Sequence, residues 1–353
     1  DNFKLDFPSG LSKGQNIYNL ISQLTMHVSN EQDFSKLPIP FFCVATDIET
    51  GKEVILDQGS LAKAVTASGA IPSIFRPIHI DDRLLTDGGV SNNYPVEELR
   101  SRGADVIIGV DVQDSLVDRD QLKSIFDVLT QIGNFRTTSD MQEKIIKTDI
   151  YIKPDISNFS ILSFDEGEKR IDLGKMAARE RSGELKALGN RQKSTPEEIA
   201  IPRIDSLQIS TLTTEGNHDY SRSYILGKLG FKYNTKLTFE DLNKGLNNLS
   251  ATGNFERINY RLIPNEDNTY TLAMQLEENQ SKTRLRLALH YDDLYEAGAL
   301  INLTRKSLLV TNDVTSFDAV VGNNTRYNFN YYIDKGYFWS FGLRSRYNKF
   351  DHG

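Results

Sequence analysis

The chain has 353 residues, of which 39% are hydrophobic and 25% charged, ordinary proportions for folded protein and enough length for two or three domains. A mean hydropathy of -0.42, with no apolar run near the roughly 20 residues a membrane helix needs, excludes helical spans. The net charge of -7 and pI near 5.4 argue against a nucleic-acid partner, and a lone cysteine excludes an internal disulfide or a Cys-based metal site.

In chain order, residues 7–15 read as a loop entering a helix whose apolar face is Ile17, Leu20, Ile21 and Leu24. Residues 40–46 form a buried strand that holds Cys43 as a structural thiol, and residues 53–57 pair with it across a turn at 49–52. Residues 60–68 form a helix with Ser60 near its cap, and its alanines allow close packing on a sheet. Residues 83–86 are a short strand that delivers Asp87 to Gly88 and Gly89. Residues 96–102 form a helix ended by Gly103, and residues 104–111 are a continuous apolar strand of the kind buried on both faces of a parallel sheet. With a further helix to about residue 136, a strand at 148–153 and a closing helix over 166–188, this alternation predicts a three-layer α/β domain.

The most informative stretch is 66–96. There Ala67-Ser68-Gly69-Ala70-Ile71-Pro72 leads through Phe75 and Pro77 to Asp87-Gly88-Gly89-Val90, Asn93 and Pro95. An acid at a strand end, followed by two residues with no Cβ, lets backbone or substrate approach the carboxylate; taken alone, the tripeptide reads first as a hairpin or loop turn with a solvated Asp. The whole stretch resembles the C-terminal half of the patatin-like phospholipase domain, and the phrase Pro8-Ser9-Gly10-Leu11 to Gly14-Gln15 is similar to one in bacterial members. That resemblance implies that Asp87 is the base of a Ser–Asp dyad in an ester hydrolase, that Gly88 and Gly89 shape its turn, and that Asn93 supports it. The family's Gly-x-Ser-x-Gly nucleophile occurs nowhere in the sequence, and neither Ser60 nor Ser68 has the flanking glycines that such an elbow needs. With no initiator Met or signal peptide either, the chain reads as a fragment that begins after the nucleophile. His79 is the histidine nearest Asp87 in sequence and reads as a surface or hydrogen-bond-satisfied residue rather than a partner of Asp87.

Residues 190–202 are polar and contain Pro196 and Pro202, which makes them a linker. Beyond it, a strand through Ile204, Leu207 and Ile209, helices over 221–230 and 238–252, and strands at 255–263 and 269–277 give the order β-α-α-β-β, the second helix capped by Thr238 with Asp241 three residues on. With Glu215-Gly216-Asn217 and Gly253-Asn254-Phe255-Glu256, this α+β segment resembles a POTRA domain of the Omp85 family. The domains expected are therefore a patatin-like hydrolase over 1–189, the linker at 190–202, a POTRA domain over 203–279, and the start of a barrel over 280–353.

From Arg284 onward the alternation has a period of two. Leu285, Leu287, Leu289 and Tyr291 oppose Arg284, Arg286 and His290; Tyr327, Phe329, Tyr331 and Ile333 oppose Arg326, Asn328 and Asn330; Tyr337, Trp339, Phe341, Leu343 and Tyr347 oppose Ser340, Arg344, Arg346 and Asn348. Aromatics crowd one face and arginines and asparagines the other, as in the first strands of a transmembrane antiparallel β-barrel, here four of them. Four cannot close, so further strands are expected beyond residue 353. The combined resemblance implies a phospholipid or other lipid-ester substrate, outer-membrane lipid around the barrel, no metal or organic cofactor, and a Gram-negative outer-membrane location with the other domains periplasmic. It leaves open a homodimer, a secretion or assembly protein whose hydrolase-like domain is cargo or plug, and an inactive lipid-binding module.

Overall fold

The computed structural model of the chain divides into two units, Asp1–Gly14 with Glu31–Ile201, and Gln15–Asn30 with Pro202–Gly353. The structure describes residues 9–113, 116, 118–122, 125–159, 164–192, 204, 206–292, 296–322, 325–336 and 339–349. Most of the expected linker, and Tyr337, lie outside them.

The elements up to residue 189 are β1 (Gly10–Ser12), α1 (Gln15–Leu24), β2 (Cys43–Asp47), β3 (Glu53–Leu56), α2 (Leu61–Ser68), β4 (Ser73–Phe75), β5 (Ile78–Ile80), β6 (Arg83–Asp87), α3 (Val96–Ser101), β7 (Ile108–Val110), α4 (Ile125–Ile146), β8 (Ile150–Ile152), α5 (Gly167–Glu180) and α6 (Ser182–Gly189). In the first unit β3, β2, β6 and β5 form one antiparallel sheet, while β1–β4 and β7–β8 are separate parallel pairs. The expected three-layer domain is therefore not seen as one continuous central sheet. Short connections explain the antiparallel order, since the five-residue turn between β2 and β3 and the two-residue turn between β5 and β6 cannot cross over.

The strand expected at 104–111 departs furthest from its prediction. Ile107 is buried, but Val106, Ile108, Val110 and Val112 on the other face are 40, 45, 51 and 62% exposed. An all-apolar run predicted burial on both faces, and the described residues cover only one. The closing helix is likewise two helices, broken at Arg181, with no buried residue in either.

The second unit continues with β9 (Leu207–Glu215), α7 (Arg222–Leu229), β10 (Lys236–Leu237), α8 (Phe239–Ala251), β11 (Phe255–Pro264) and β12 (Tyr270–Glu278). Its sheet runs β10-β9-β12-β11, with β9 and β12 parallel. The Thr238 cap falls where the sequence places it. Ser221 accepts from the Tyr224 amide, Gly230 takes the left-handed conformation at φ 73, and Thr238 and Asp241 form a reciprocal capping box. Leu207, Ile209, Leu212, Leu242, Leu246, Leu249 and Leu272 are fully buried between sheet and helices.

Helix α1 also belongs to this unit, and it packs by a face other than the predicted one. Ile17, Leu20 and Leu24 are exposed, while Tyr18 and Asn19 are buried. Gln15 Nε2 donates to the Ile258 carbonyl (2.8 Å), Tyr18 Oη to the Tyr260 carbonyl (2.8 Å) and Ser29 Oγ to the Leu262 carbonyl (2.9 Å). Tyr18 Oη in turn accepts from the Tyr260 amide at 3.0 Å. These side chains serve alternate residues along β11, the edge strand, whose outward backbone groups would otherwise lack partners.

The last five strands form an antiparallel meander in sequence order: β13 (Thr283–Asp292), β14 (Glu296–Lys306), β15 (Asp313–Gly322), β16 (Arg326–Ile333) and β17 (Phe341–Asn348). The sequence reading expected four. The register turns the alternation into rows. Leu287, Ile301, Ala319, Tyr327 and Tyr347 face one side, and Arg286, Asn302, Asp318, Asn328 and Arg346 the other. On the polar side Asn302 Nδ2 and Asn328 Nδ2 donate to the two oxygens of Asp318. On the apolar side Tyr327 stacks on Phe317 and Tyr347, and Leu289 is 91% exposed.

Candidate active site

Asp87 is the last residue of β6. Its strand is held by β2 on one side, with Ala45 opposite Asp87, and by β5 on the other, with Ile78 opposite Leu85. The fully buried Ala70 fastens the end of the strand: its carbonyl accepts the Asp87 amide at 3.0 Å and the Thr86 hydroxyl at 2.7 Å. The Ala-Ser-x-Ala-x-Pro run and the Asp-Gly-Gly turn, well apart in sequence, are thus one structural feature. From the neighbouring strand the buried Thr46 hydroxyl donates to the Asp87 carbonyl (2.8 Å) and also contacts Ser91 Oγ (2.8 Å).

The carboxylate closes its own turn. Asp87 Oδ1 accepts the Gly89 amide at 2.7 Å and so caps a 3₁₀ turn over Gly88–Val90. Burial pushes the Asp87 carboxyl above the usual carboxylate range, and the Gly89 hydrogen bond opposes that only in part. Both glycines are required by close approach, since neither has a positive φ. A Cβ on Gly88 would lie 2.1 Å from the Val44 carbonyl oxygen, and one on Gly89 would lie 2.9 Å from Asn93 Oδ1 and 3.0 Å from Asp87 Oδ1.

The remaining sequence candidates fall as follows. Asn93 is exposed, donates from Nδ2 to Gln113 Oε1 at 3.3 Å, and keeps its Oδ1 against Gly89. Ser60 caps α2 by accepting the Lys63 amide, and Ser68 stands beside the Cys43 thiol, which burial pushes up to about 11. Cys43 is half-buried and stays a thiol at neutral pH. His79 is exposed and sits opposite Leu84, three residues up the strand from Asp87. Among the described residues no serine hydroxyl hydrogen-bonds Asp87, and no group of three His, Cys, Asp or Glu is placed to hold a metal ion.

Asn92 escaped the sequence reading. It is buried, donates from Nδ2 to Glu53 Oε2 (2.7 Å) and Glu98 Oε1 (3.0 Å), and accepts at Oδ1 from Lys144 Nζ (2.6 Å). One amide thereby ties the loop after Asp87 to β3, α3 and α4. Burial, with Glu53 alongside, holds the Glu98 carboxyl above its ordinary value. Nothing in the sequence separates Asn92 from Asn93; only their opposite orientations do.

Residues 2–100 match the patatin-like phospholipase family and residues 270–353 the OMP85 superfamily. Among curated relatives, an uncharacterised NTE family protein of Mycobacterium tuberculosis is 36% identical over 107 residues, covering 30% of this chain and 29% of its own length. A lysophospholipase of Candida glabrata is 28% identical over 162 residues, 38% of this chain and 9% of its own. A patatin-like phospholipase domain-containing protein of Caenorhabditis elegans is 28% identical over 184 residues, 44% and 14% respectively. The chain spans less than a third of the length of these relatives. Among solved structures, BamA from Haemophilus ducreyi lacking POTRA domains 1–3 overlaps 40% of this chain and 27% of that one at a TM-score of 0.31 and 15% identity. CdiB from Acinetobacter baumannii overlaps 41% and 28% at 0.29 and 18%. By the family models the chain is thus similar to patatin-like phospholipases over residues 2–100, which include Asp87, and to the OMP85 superfamily over residues 270–353.

Proposed function

We propose that the chain belongs to a lipid acyl hydrolase in which Asp87 is the base of a Ser–Asp dyad, carried on an outer-membrane β-barrel. The observation that supports this most is the carboxylate itself. One oxygen is fixed by the Gly89 amide while the other has no hydrogen bond among the described residues, in a setting that raises its proton affinity. An oriented base with a spare oxygen and a raised pKa suits proton removal from a hydroxyl near neutral pH. No Gly-x-Ser-x-Gly occurs in these residues, so the reading assigns the nucleophile to a serine outside them.

In this scheme the serine oxygen attacks the ester carbonyl as Asp87 takes its proton, and Asp87 then passes that proton to the departing alcohol. A water deprotonated by Asp87 releases the acyl group in the second half-reaction. The substrate is a phospholipid or related lipid ester, in keeping with the relatives' descriptions. Gly88, Gly89 and Asn93 shape and flank the turn. Residues 1–189 are assigned to the hydrolase region, with α1 within them packed on β11 of the second unit, residues 190–202 to the linker, 203–279 to a POTRA domain, and 280–353 to the first barrel strands. The hydrolase and POTRA domains are assigned to the periplasm, with membrane lipid against the apolar face of β13–β17.

In the complete protein, Asp87→Asn should lower turnover of a phospholipid or short-chain ester by about 10²- to 10⁴-fold, the range for losing a general base. Circular dichroism should stay unchanged. Turnover near that of the unaltered protein would overturn the dyad.

A further inference from the structure

At the carboxyl end of the parallel pair β7–β8 lies a second carboxylate that the dyad does not use. The Asp111 side chain is only 6% exposed. Its Oδ2 accepts from Tyr151 Oη at 2.6 Å and from Lys153 Nζ at 3.0 Å, and its Oδ1 accepts the Gln113 amide at 2.9 Å. Lys153 Nζ also donates to the Gln113 carbonyl. Residue 113 is therefore gripped at both its N–H and its C=O, by an ion pair that is itself fixed by a tyrosine. Such a grip leaves the Gln113 side chain aimed rather than free, and its Oε1 accepts Asn93 Nδ2. The other end of the Asn93 amide lies against Gly89, on the same side as Asp87 Oδ1.

We propose that Asp111 and Gln113 are positioning residues for Asp87, acting through Asn93. The inference rests on reading Asp87 as the base. The loop that follows Asp87 has two holds. Asn92 ties it to β3, α3 and α4, and Asn93 ties it to the end of β7. The second hold sets the lateral position of the Gly89 turn, and with it the direction of the carboxylate that the Gly89 amide orients. Burying a carboxylate requires a countercharge and hydrogen-bond donors. Asp111 has Lys153 as the first and the Tyr151 hydroxyl and Gln113 amide as the second, and together they fix the backbone unit whose side chain reaches Asn93. A turn displaced by about 1 Å leaves substrate binding in place but spoils the proton-transfer geometry, at a cost of roughly 10²-fold.

The test is a double-mutant cycle in the complete protein with its membrane part in detergent. Gln113→Met keeps the size of the side chain and removes the acceptor; Asp111→Asn loosens the grip on residue 113. Each should lower kcat by about 10- to 100-fold with KM within about twofold, and the double variant should fall no further than the worse single one. Additive losses, a loss confined to KM, or unchanged kcat in either single variant would overturn the relay. Should Asp111→Asn fail to fold, Gln113→Met alone decides, because its side chain is not part of the buried pair. Asp87→Asn, assayed alongside, separates the two levels. If it is inactive while both positioning variants keep full kcat, only the relay falls; if it turns over normally, the base assignment falls.

Discussion

Proton affinity is the residue-scale property that decides what Asp87 can do. Its folded pKa lies above the unfolded value because burial disfavours the charged form. The native state therefore holds this proton more tightly than the unfolded chain does. Stability from this group is greatest in acid, declines as pH rises from the unfolded through the folded pKa, and stays lower above it. Asp87→Asn keeps the Gly89 hydrogen bond and removes the charge, so at pH 7 the variant should melt at or above the temperature of the unaltered protein. That advantage should vanish near pH 3, below the ordinary carboxylate range; a variant that melts lower at pH 7 than at pH 3, relative to the unaltered protein, would contradict it. Asp87 was singled out by the resemblance that the whole stretch 66–96 carries, since Asp-Gly-Gly alone describes a solvated turn. The tie to Ala70 and the role of Asn92 were not, because both depend on carbonyls and amides that only the folded register brings together.

At the scale of the element, periodicity told helices from strands better than it told which face is buried. Helix α1 shows why: its apolar spacing nominates Ile17, Leu20 and Leu24, yet what it serves is the hydrogen-bonding edge of β11, reached by Gln15 and Tyr18. Edge satisfaction depends on a partner more than 240 residues away and has no local signature. A five-strand meander was read as four because β14 and β15 carry Ala297, Gly298, Ala299, Ala319 and Gly322, which blur the alternation that the aromatics make plain in β16 and β17. For α1 the expected outcome is specific. Tyr18→Phe removes the donor to the Tyr260 carbonyl and the acceptor of its amide, which leaves two buried backbone groups unpaired at about 1–3 kcal/mol each. Amide exchange at Tyr260 should quicken accordingly while exchange in β12 is spared. Unchanged protection at Tyr260 would mean that α1 does not hold that edge.

Across the whole chain, a net charge of -7 and modest hydropathy conceal a sheet of opposite character on its two sides. No described helix is long and apolar enough to cross a membrane, which bears on helices alone. The rows of β13–β17 separate Leu287, Ile301, Tyr327 and Tyr347 from Arg286, Asn302, Asp318 and Arg346. An exposed leucine and aromatic face of this breadth needs an apolar solvent or a covering partner, because leaving it in water forfeits about 25 cal/mol for every Å². Lipid and a soluble partner make different demands on the same face, and a charge placed there tells them apart. If lipid covers it, Leu287→Arg should cost about 2–4 kcal/mol when the protein folds into vesicles, the price of an arginine near the bilayer midplane. Ser316→Arg, between Thr304 and Asn330 in a polar row, should cost far less under the same conditions. The complete protein should also need detergent to stay dispersed. Monodisperse behaviour in plain buffer, with both arginine variants equally tolerated, would take the sheet out of the membrane and make its apolar face a protein-binding surface instead.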